Sequence, residues 1–195
     1  MSSLRGFALS VFVLLFLPAA AQAQSTGGAE YIPPPPPAPE NMVAAGSVAQ
    51  LLPDGSAAAP ADAPEPVKQA IWAANRLLDK PYKYGGGHAK IEDTGYDCSG
   101  TVSYALIHAD LLKSPLPSGS FMRWGERGRG AWITVYAHGG HAYAVIAGLR
   151  LDTSTYASRT ARTRKVASTA FERGPRWRPT MRPSKGFRAR HPLGL

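Results

Sequence analysis

The sequence predicts an α+β domain in which N-terminal helices pack on an antiparallel β-sheet. Two observations predict it. Apolar residues recur at helical spacing in residues 66–112, whereas residues 132–153 form short apolar segments that are typical of strands. Helices that come first, followed by consecutive strands, are typical of an α+β fold with an antiparallel sheet.

The first segment of the 195-residue chain is predicted to be an export signal. Arg5 precedes an apolar run over residues 7–17, and Ala21-Gln22-Ala23 has the small-x-small form of a cleavage site. The run is too short to span a bilayer comfortably. We therefore expect residues 1–23 to be a signal peptide and the mature protein, starting at Gln24, to be periplasmic or secreted.

The next segment, residues 24–65, is predicted to be a disordered linker rich in proline and alanine. Residues 33–37 are all proline, and large apolar side chains are too few to build a core. The remaining residues, 66–195, have an ordinary single-domain size. We expect them to form one catalytic domain that ends in a basic C-terminal segment.

Two helices are predicted in the first half of this domain. The first has Pro66 in its first turn and ends before Pro81, and its apolar residues recur at helical spacing. A glycine loop, Tyr82-Lys83-Tyr84-Gly85-Gly86-Gly87, follows it. The second helix is predicted over residues 98–112, again from an apolar stripe.

Three strands are predicted next, over residues 132–137, 141–147 and 149–153, with a tight turn at Gly148 between the last two. If Ala147-Gly148 forms a two-residue turn, His141 pairs across the hairpin with residue 154. Asp152 is then its diagonal neighbour on the same face, within reach of a side-chain contact.

The only cysteine of the sequence, Cys98, stands where the second helix is predicted to begin. The N-terminus of a helix favours negative charge, so a thiol there ionises more readily, and the thiolate is the nucleophilic form. The unbonded N–H groups at the same end can stabilise an oxyanion. The alternative is a buried packing residue, which is the usual role of a single cysteine.

A nucleophilic thiolate needs a base, and the base needs an orienting group. His141 is the predicted base because it opens a strand, whereas the competing His138 lies on the preceding loop. Asp152 is the predicted orienting group. The alternative for Asp152, equally compatible with its spacing, is a turn-forming aspartate.

Three blocks of the sequence resemble the NlpC/P60 family of cell-wall cysteine peptidases. They are Lys80-Pro81-Tyr82-Lys83-Tyr84-Gly85-Gly86, Tyr96-Asp97-Cys98-Ser99-Gly100-Thr101-Val102-Ser103-Tyr104 and His141-Ala142-Tyr143-Ala144-Val145-Ile146. The resemblance implies a papain-like α+β fold with Cys98 as nucleophile and His141 as base. Its third position maps to Asp152, where the family often has His, Asn or Gln.

The resemblance also implies a substrate, since members of the family commonly hydrolyse the bond between D-γ-glutamate and the diamino acid of peptidoglycan stem peptides. Asp97 and Ser99 would then hold the free amino end of the stem peptide. Tyr82 or Tyr84 would line the pocket, and packing is the alternative for both tyrosines. Two other interpretations are a non-catalytic wall-binding protein on the same fold and an acyl or peptidyl transferase that uses the same dyad.

The net charge of +9 is concentrated near the C-terminus, where residues 150–195 carry twelve Lys or Arg against two acids. Such a segment favours an anionic partner, either a wall polymer or a membrane surface, and export makes nucleic acid the least favoured one. A solvated basic tail is the alternative. The five histidines lack zinc-type spacing, so neither a metal nor a cofactor is expected. The sequence does not indicate an oligomeric state.

Overall fold

The computed structural model describes residues 42–154, 174–179 and 181–195. All of them belong to one of the two compact units of the chain, Pro35–Leu195. The predicted signal peptide, residues 1–23, and the first part of the predicted linker, residues 24–41, lie outside the described residues.

A six-stranded sheet dominates the described part of the chain, and every neighbouring pair in it is antiparallel. Its strand order is β4-β9-β5-β6-β7-β8. The strands are β4 Glu126–Arg127, β5 Ile133–His138, β6 His141–Ile146, β7 Leu149–Asp152, β8 Arg176–Arg178 and β9 Arg188–His191. The three predicted strands are therefore present as β5, β6 and β7, and the α+β class is confirmed.

Within the described residues, three helices accompany this sheet: α1 Glu65–Asn75, α2 Cys98–His108 and the short α3 Ser118–Phe121. Alternate residues of β5 and β6 point towards α1 and α2 and form the main hydrophobic core with them. Fully buried side chains of this core include Val67, Ile71, Val102, Leu106, Phe121, Ile133, Ile146 and Leu151. None of the described helices is long and apolar enough to cross a membrane.

Helix α2 ends four residues earlier than its apolar stripe predicts, at His108 instead of residue 112. Asp110 adopts a left-handed conformation with φ of 58°. This conformation turns the chain so that the N–H of Leu111 donates to the carbonyl of Leu106 at 2.9 Å. Such a bond closes a helix and satisfies a terminal carbonyl, so the apolar residues beyond it pack without being helical.

The β6–β7 hairpin has the two-residue turn that the sequence predicts. Ala147 and Gly148 have φ of 45° and 91°, as a hairpin turn of the primed type requires. Ile146 pairs with Leu149 across it. This register continues to the start of β6 and brings His141 diagonally opposite Asp152, as predicted.

The prediction of a disordered linker is wrong for residues 42–64. They form a small sheet of strand order β1-β3-β2, made of β1 Val43–Ala44, β2 Gln50–Leu51 and β3 Ala57–Pro60. Ala57 and Ala59 are fully buried in the main core. The methyl groups of these alanines fill the space between β3 and α1 because the two elements lie close together. Asn75 Oδ1 in α1 accepts from the Ala57 N–H at 2.9 Å.

Two parts of the basic C-terminal segment are strands of the sheet, so a solvated tail is the wrong interpretation for residues 176–178 and 188–191. Strand β9 lies between β4 and β5, and β8 extends the sheet beyond β7. Trp177 is buried and its indole N–H donates to Asn75 Oδ1 at 2.8 Å. Arg150 and Arg190 are also buried.

The glycine loop and the first turn of α2 are in backbone contact, which places the loop beside Cys98. A Cβ added at Gly100 would overlap with the carbonyl oxygen of Gly86. Because that atom belongs to the backbone, it cannot rotate away as a side chain would. The glycine pair is therefore a steric requirement for this approach.

We expect Gly100→Ala to lower the free energy of unfolding by about 1–3 kcal/mol or more, since the new methyl group overpacks the contact. Gly119→Ala is the matched control, because a Cβ at Gly119 meets no atom within 4 Å. Chemical denaturation of both variants measures the difference. Equal unfolding free energies for the two variants would contradict the steric interpretation.

Candidate active site

Cys98 is the first residue of α2, as predicted, and it is a free, buried thiol. Asp97 caps this helix: its Oδ1 accepts from the N–H of Gly100 at 2.7 Å. The cap fixes the direction in which α2 begins. The thiol therefore lies at the positive end of the helix, where a thiolate is stabilised.

His141 is the histidine that the fold brings to the thiol. Its imidazole lies close enough to the Cys98 thiol to lower the pKa of that thiol, and its Nε2 hydrogen-bonds with Asp152 Oδ1 at 2.9 Å. Since Nε2 is engaged by the carboxylate, Nδ1 is the ring nitrogen left for sulfur. The competing candidate, His138, instead accepts the N–H of Gly140 through Nδ1 at 3.0 Å.

The electrostatics of this pair favour a thiolate and an imidazolium. Burial alone would lower the pKa of His141, but its hydrogen bonds to Asp152 and Cys98 outweigh burial and raise the pKa to about 9. Burial raises the pKa of Cys98, but the hydrogen bond and charge of His141 and the N–H of Ala142 bring it below its usual value. The two pKa shifts therefore favour the same ionised pair, a Cys98 thiolate beside a His141 imidazolium.

Asp152 is buried, with 1% of its surface exposed, and both of its oxygens are engaged. Oδ1 accepts from the Ser154 N–H at 2.8 Å in addition to meeting His141. Oδ2 faces Arg182 Nη1 at 3.1 Å and Arg150 Nε at 3.5 Å. Burial raises the pKa of Asp152, but the bond to His141 and the nearby cations lower it overall, so the carboxylate is ionised.

The arginines that surround Asp152 were missed by sequence reasoning. Arg182 lies 30 residues away in sequence, and its guanidinium is 5.3 Å from the ring centre of Tyr143 and 5.1 Å from that of Phe187. Phe187 also packs edge-on against His141, with 6.3 Å between ring centres. No local motif links these residues, because β8 and β9 bring them to the site through pairing at long range.

Cys98 opens onto a groove of about 330 Å³. Pro117 and Gly119 form one side of it, and the Gly139-Gly140 turn forms another. Its remaining lining residues are Tyr82, Tyr84, Gly85, His88, Asp97, Ser99 and Ser118. All four predicted substrate-binding residues are therefore in the groove, together with the predicted nucleophile.

The two tyrosines differ in their surroundings. Tyr84 is 91% exposed beside the groove, so packing does not explain its position. Tyr82 is half-buried and forms an isolated bridge with Tyr96, so it also has a structural role. Ser118 was missed by sequence reasoning, and its hydroxyl lies 4.0 Å from the Cys98 sulfur.

His88 is a further groove residue that the sequence analysis did not select. Its Nε2 lies 3.1 Å from Asp97 Oδ1 and 3.2 Å from Ser99 Oγ. Asp97 Oδ1 also accepts from the hydroxyl of Ser99 at 3.2 Å, and Asp97 Oδ2 accepts from the N–H of Gly85 at 3.1 Å. The Asp97 carboxylate thus joins the glycine loop, α2 and His88. The position of His88 directly after the glycine run was the only signal for it.

Comparison with known proteins finds no matching family, no matching curated protein and no matching solved structure. Within the described residues, no three His, Cys, Asp or Glu side chains are grouped as a metal site would require. The resemblance to the NlpC/P60 family therefore remains a prediction from the motifs.

We expect iodoacetamide to label Cys98 with an apparent pKa below that of an ordinary thiol, because His141 and the start of α2 stabilise the thiolate. His141→Ala should raise that pKa and slow labelling at pH 7, about tenfold for each unit of the rise. His138→Ala is the matched control and should label like the wild type. Mass spectrometry over a pH series measures the rates, and equal slowing in both variants would contradict the assignment of His141.

Proposed function

We propose that this protein is an exported cysteine peptidase that hydrolyses an amide bond in peptidoglycan stem peptides. The bond we propose is the one between D-γ-glutamate and the diamino acid. The observation that carries the proposal is a thiol at the start of α2 that lies beside His141, whose imidazole is held by Asp152. This is the arrangement that activates a nucleophilic cysteine.

The fold supports a papain-like domain of the NlpC/P60 type. The nucleophile begins a helix that packs against an antiparallel sheet, and the base begins a neighbouring strand of that sheet. The orienting residue ends the next strand. The order of these three residues along the chain and in space is the order that the motif resemblance implies.

The reaction follows from the protonation states of the pair. The Cys98 thiolate attacks the amide carbonyl and forms a carbon–sulfur bond, and the carbonyl electrons move onto oxygen. When the tetrahedral intermediate collapses, the carbon–nitrogen bond breaks and the His141 imidazolium gives its proton to the departing amine. His141, now neutral, takes a proton from water as that water attacks the thioester. When this second tetrahedral intermediate collapses, the carbon–sulfur bond breaks, the acid product leaves, and the thiolate–imidazolium pair is restored.

Backbone and side-chain donors near the sulfur can stabilise the oxyanion of both steps. The N–H of Cys98 is in the first turn of α2, where N–H groups have no acceptor within the helix. The hydroxyl of Ser118 lies across the groove, 4.0 Å from the sulfur. A carbonyl oxygen placed between them can receive both bonds, which is the arrangement of an oxyanion hole.

The alternative of a non-catalytic wall-binding protein has less support. A binding domain has no need for a buried carboxylate that orients a histidine towards a thiol, and such a carboxylate is costly to bury. The same geometry serves a transferase, in which an amine replaces water at the thioester. We favour hydrolysis because the groove beside Cys98 is open to solvent at Tyr84.

Purified muropeptides incubated with the full chain should be cleaved at the D-γ-glutamyl bond. Cys98→Ala should lower the rate about 10³-fold or more, because no other group replaces the nucleophile. Arg123→Gln changes an exposed residue outside the groove and is the matched control. Chromatography of the products with mass spectrometry makes the measurement. Identical products and rates for wild type and Cys98→Ala would refute the proposal.

The pH profile of hydrolysis should be bell-shaped. The acid limb follows the lowered pKa of Cys98, and the rate falls again as pH rises through about 9, where His141 loses the proton that the leaving amine needs. Asp152→Asn removes the charge that raises the His141 pKa, so the alkaline limb should move down by about one to three pH units. An unmoved alkaline limb in a folded variant would contradict the role of Asp152.

A further inference from the structure

A second cavity of about 250 Å³ lies on the face of the sheet opposite to α1 and α2. It shares no lining residue with the groove at Cys98. Alternate residues of β5 and β6 form its floor, and the C-terminal segment forms one wall. Its lining residues are Arg129, Gly130, Ala131, Trp132, Thr134, Tyr136, Tyr143, Val145, Gly148, Met181, Arg182 and Ser184.

The charged residues of this lining are both arginines, Arg129 and Arg182, and no acid is among them. Tyr136 and Tyr143 are 7% and 2% exposed, and both line the cavity, where their hydroxyls can donate to a molecule that enters it. Burial also raises the pKa of Tyr143 to about 12, so this group stays a donor at physiological pH.

The aromatic rings of the cavity indicate the shape and polarity of the part of a ligand that would contact them. Tyr136 and Tyr143 stack with 4.9 Å between ring centres and 11° between their planes. Trp132, Val145 and Met181 add apolar surface around them. Donors and cations together with flat apolar walls are suited to a small molecule that has an anionic end and an apolar or planar body.

We propose that this cavity is a binding site for a small organic carboxylate. Arginine pairs with a carboxylate through two parallel N–H bonds, and the tyrosine hydroxyls add neutral donors to the same anion. The volume of the cavity lies just below the usual range of ligand pockets, which limits the ligand to about the size of an amino acid or an aromatic acid. The site goes beyond the proposed peptidase activity and does not depend on it.

Arg182 connects this site to the catalytic residues. Its guanidinium lies over Tyr143 at 5.3 Å, and its Nη1 meets Asp152 Oδ2 at 3.1 Å. The Arg182 guanidinium therefore adds positive charge to the wall of the cavity while it pairs with Asp152. The remaining charge for the ligand comes from Arg129, which is exposed at the rim.

Titration of the full chain with benzoate tests the proposal, with tryptophan fluorescence and calorimetry as readouts. Benzamide has the same ring and no charge, and it should bind at least about tenfold more weakly, since charge-assisted hydrogen bonds are the stronger ones. Tyr136→Phe keeps the ring stack and removes a donor, and Arg129→Gln removes a charge. Each should weaken benzoate binding about fivefold or more. Arg123→Gln, outside the cavity, is the control of equal charge and should bind like the wild type.

The result that overturns the proposal is equal affinity for benzoate and benzamide, or unchanged benzoate affinity in both Tyr136→Phe and Arg129→Gln. Equal weakening in Arg123→Gln overturns it as well, because binding would then follow net charge only. Thermal unfolding of each variant shows that it is folded. The test uses no substrate of the proposed peptidase, so its outcome is independent of the hydrolysis experiments.

Discussion

The carboxylate of Asp152 is the group on which the orientation of His141 and the position of Arg182 both depend. One oxygen holds His141 and the other faces Arg150 and Arg182. A buried carboxylate is stable only when charges and hydrogen bonds replace its water. Arg150 and Arg182 therefore stabilise the negative charge of Asp152 that orients His141.

An ionised orienting residue has a consequence for the protonation of the dyad. A neutral amide at this position would orient the imidazole without adding charge, whereas Asp152 also favours its protonated form. Arg150 and Arg182, which face the other oxygen of Asp152, weaken this effect because they partly neutralise the same negative charge. Arg182 is thus a positioning residue. It does not line the groove at Cys98, yet its pairing with Asp152 limits the effect of the Asp152 charge on His141.

The parts of the site that were predicted from the sequence depend on local signals. Asp97 caps the helix that Cys98 begins, and the Ala147-Gly148 turn fixes the register that brings Asp152 to His141. The unpredicted parts depend on pairing at long range. Strand β9 inserts between β4 and β5, and the alanines of residues 57–60 become core only because α1 lies close to them. Neither segment has an apolar period of its own.

A sequence motif identifies a residue but not its hydrogen bonds, and Asp97 in the groove is an example. The resemblance assigns Asp97 to the amino end of a substrate. In the fold, its Oδ1 already accepts from Gly100 and Ser99 and meets His88, and its side chain is largely buried. An ammonium group at that oxygen would compete with His88, which carries donors of its own. The proposed recognition of an amino end would therefore involve His88 as much as Asp97, and a histidine beside the glycine loop gives the groove a polarity that the Asp-Cys-Ser-Gly motif does not specify.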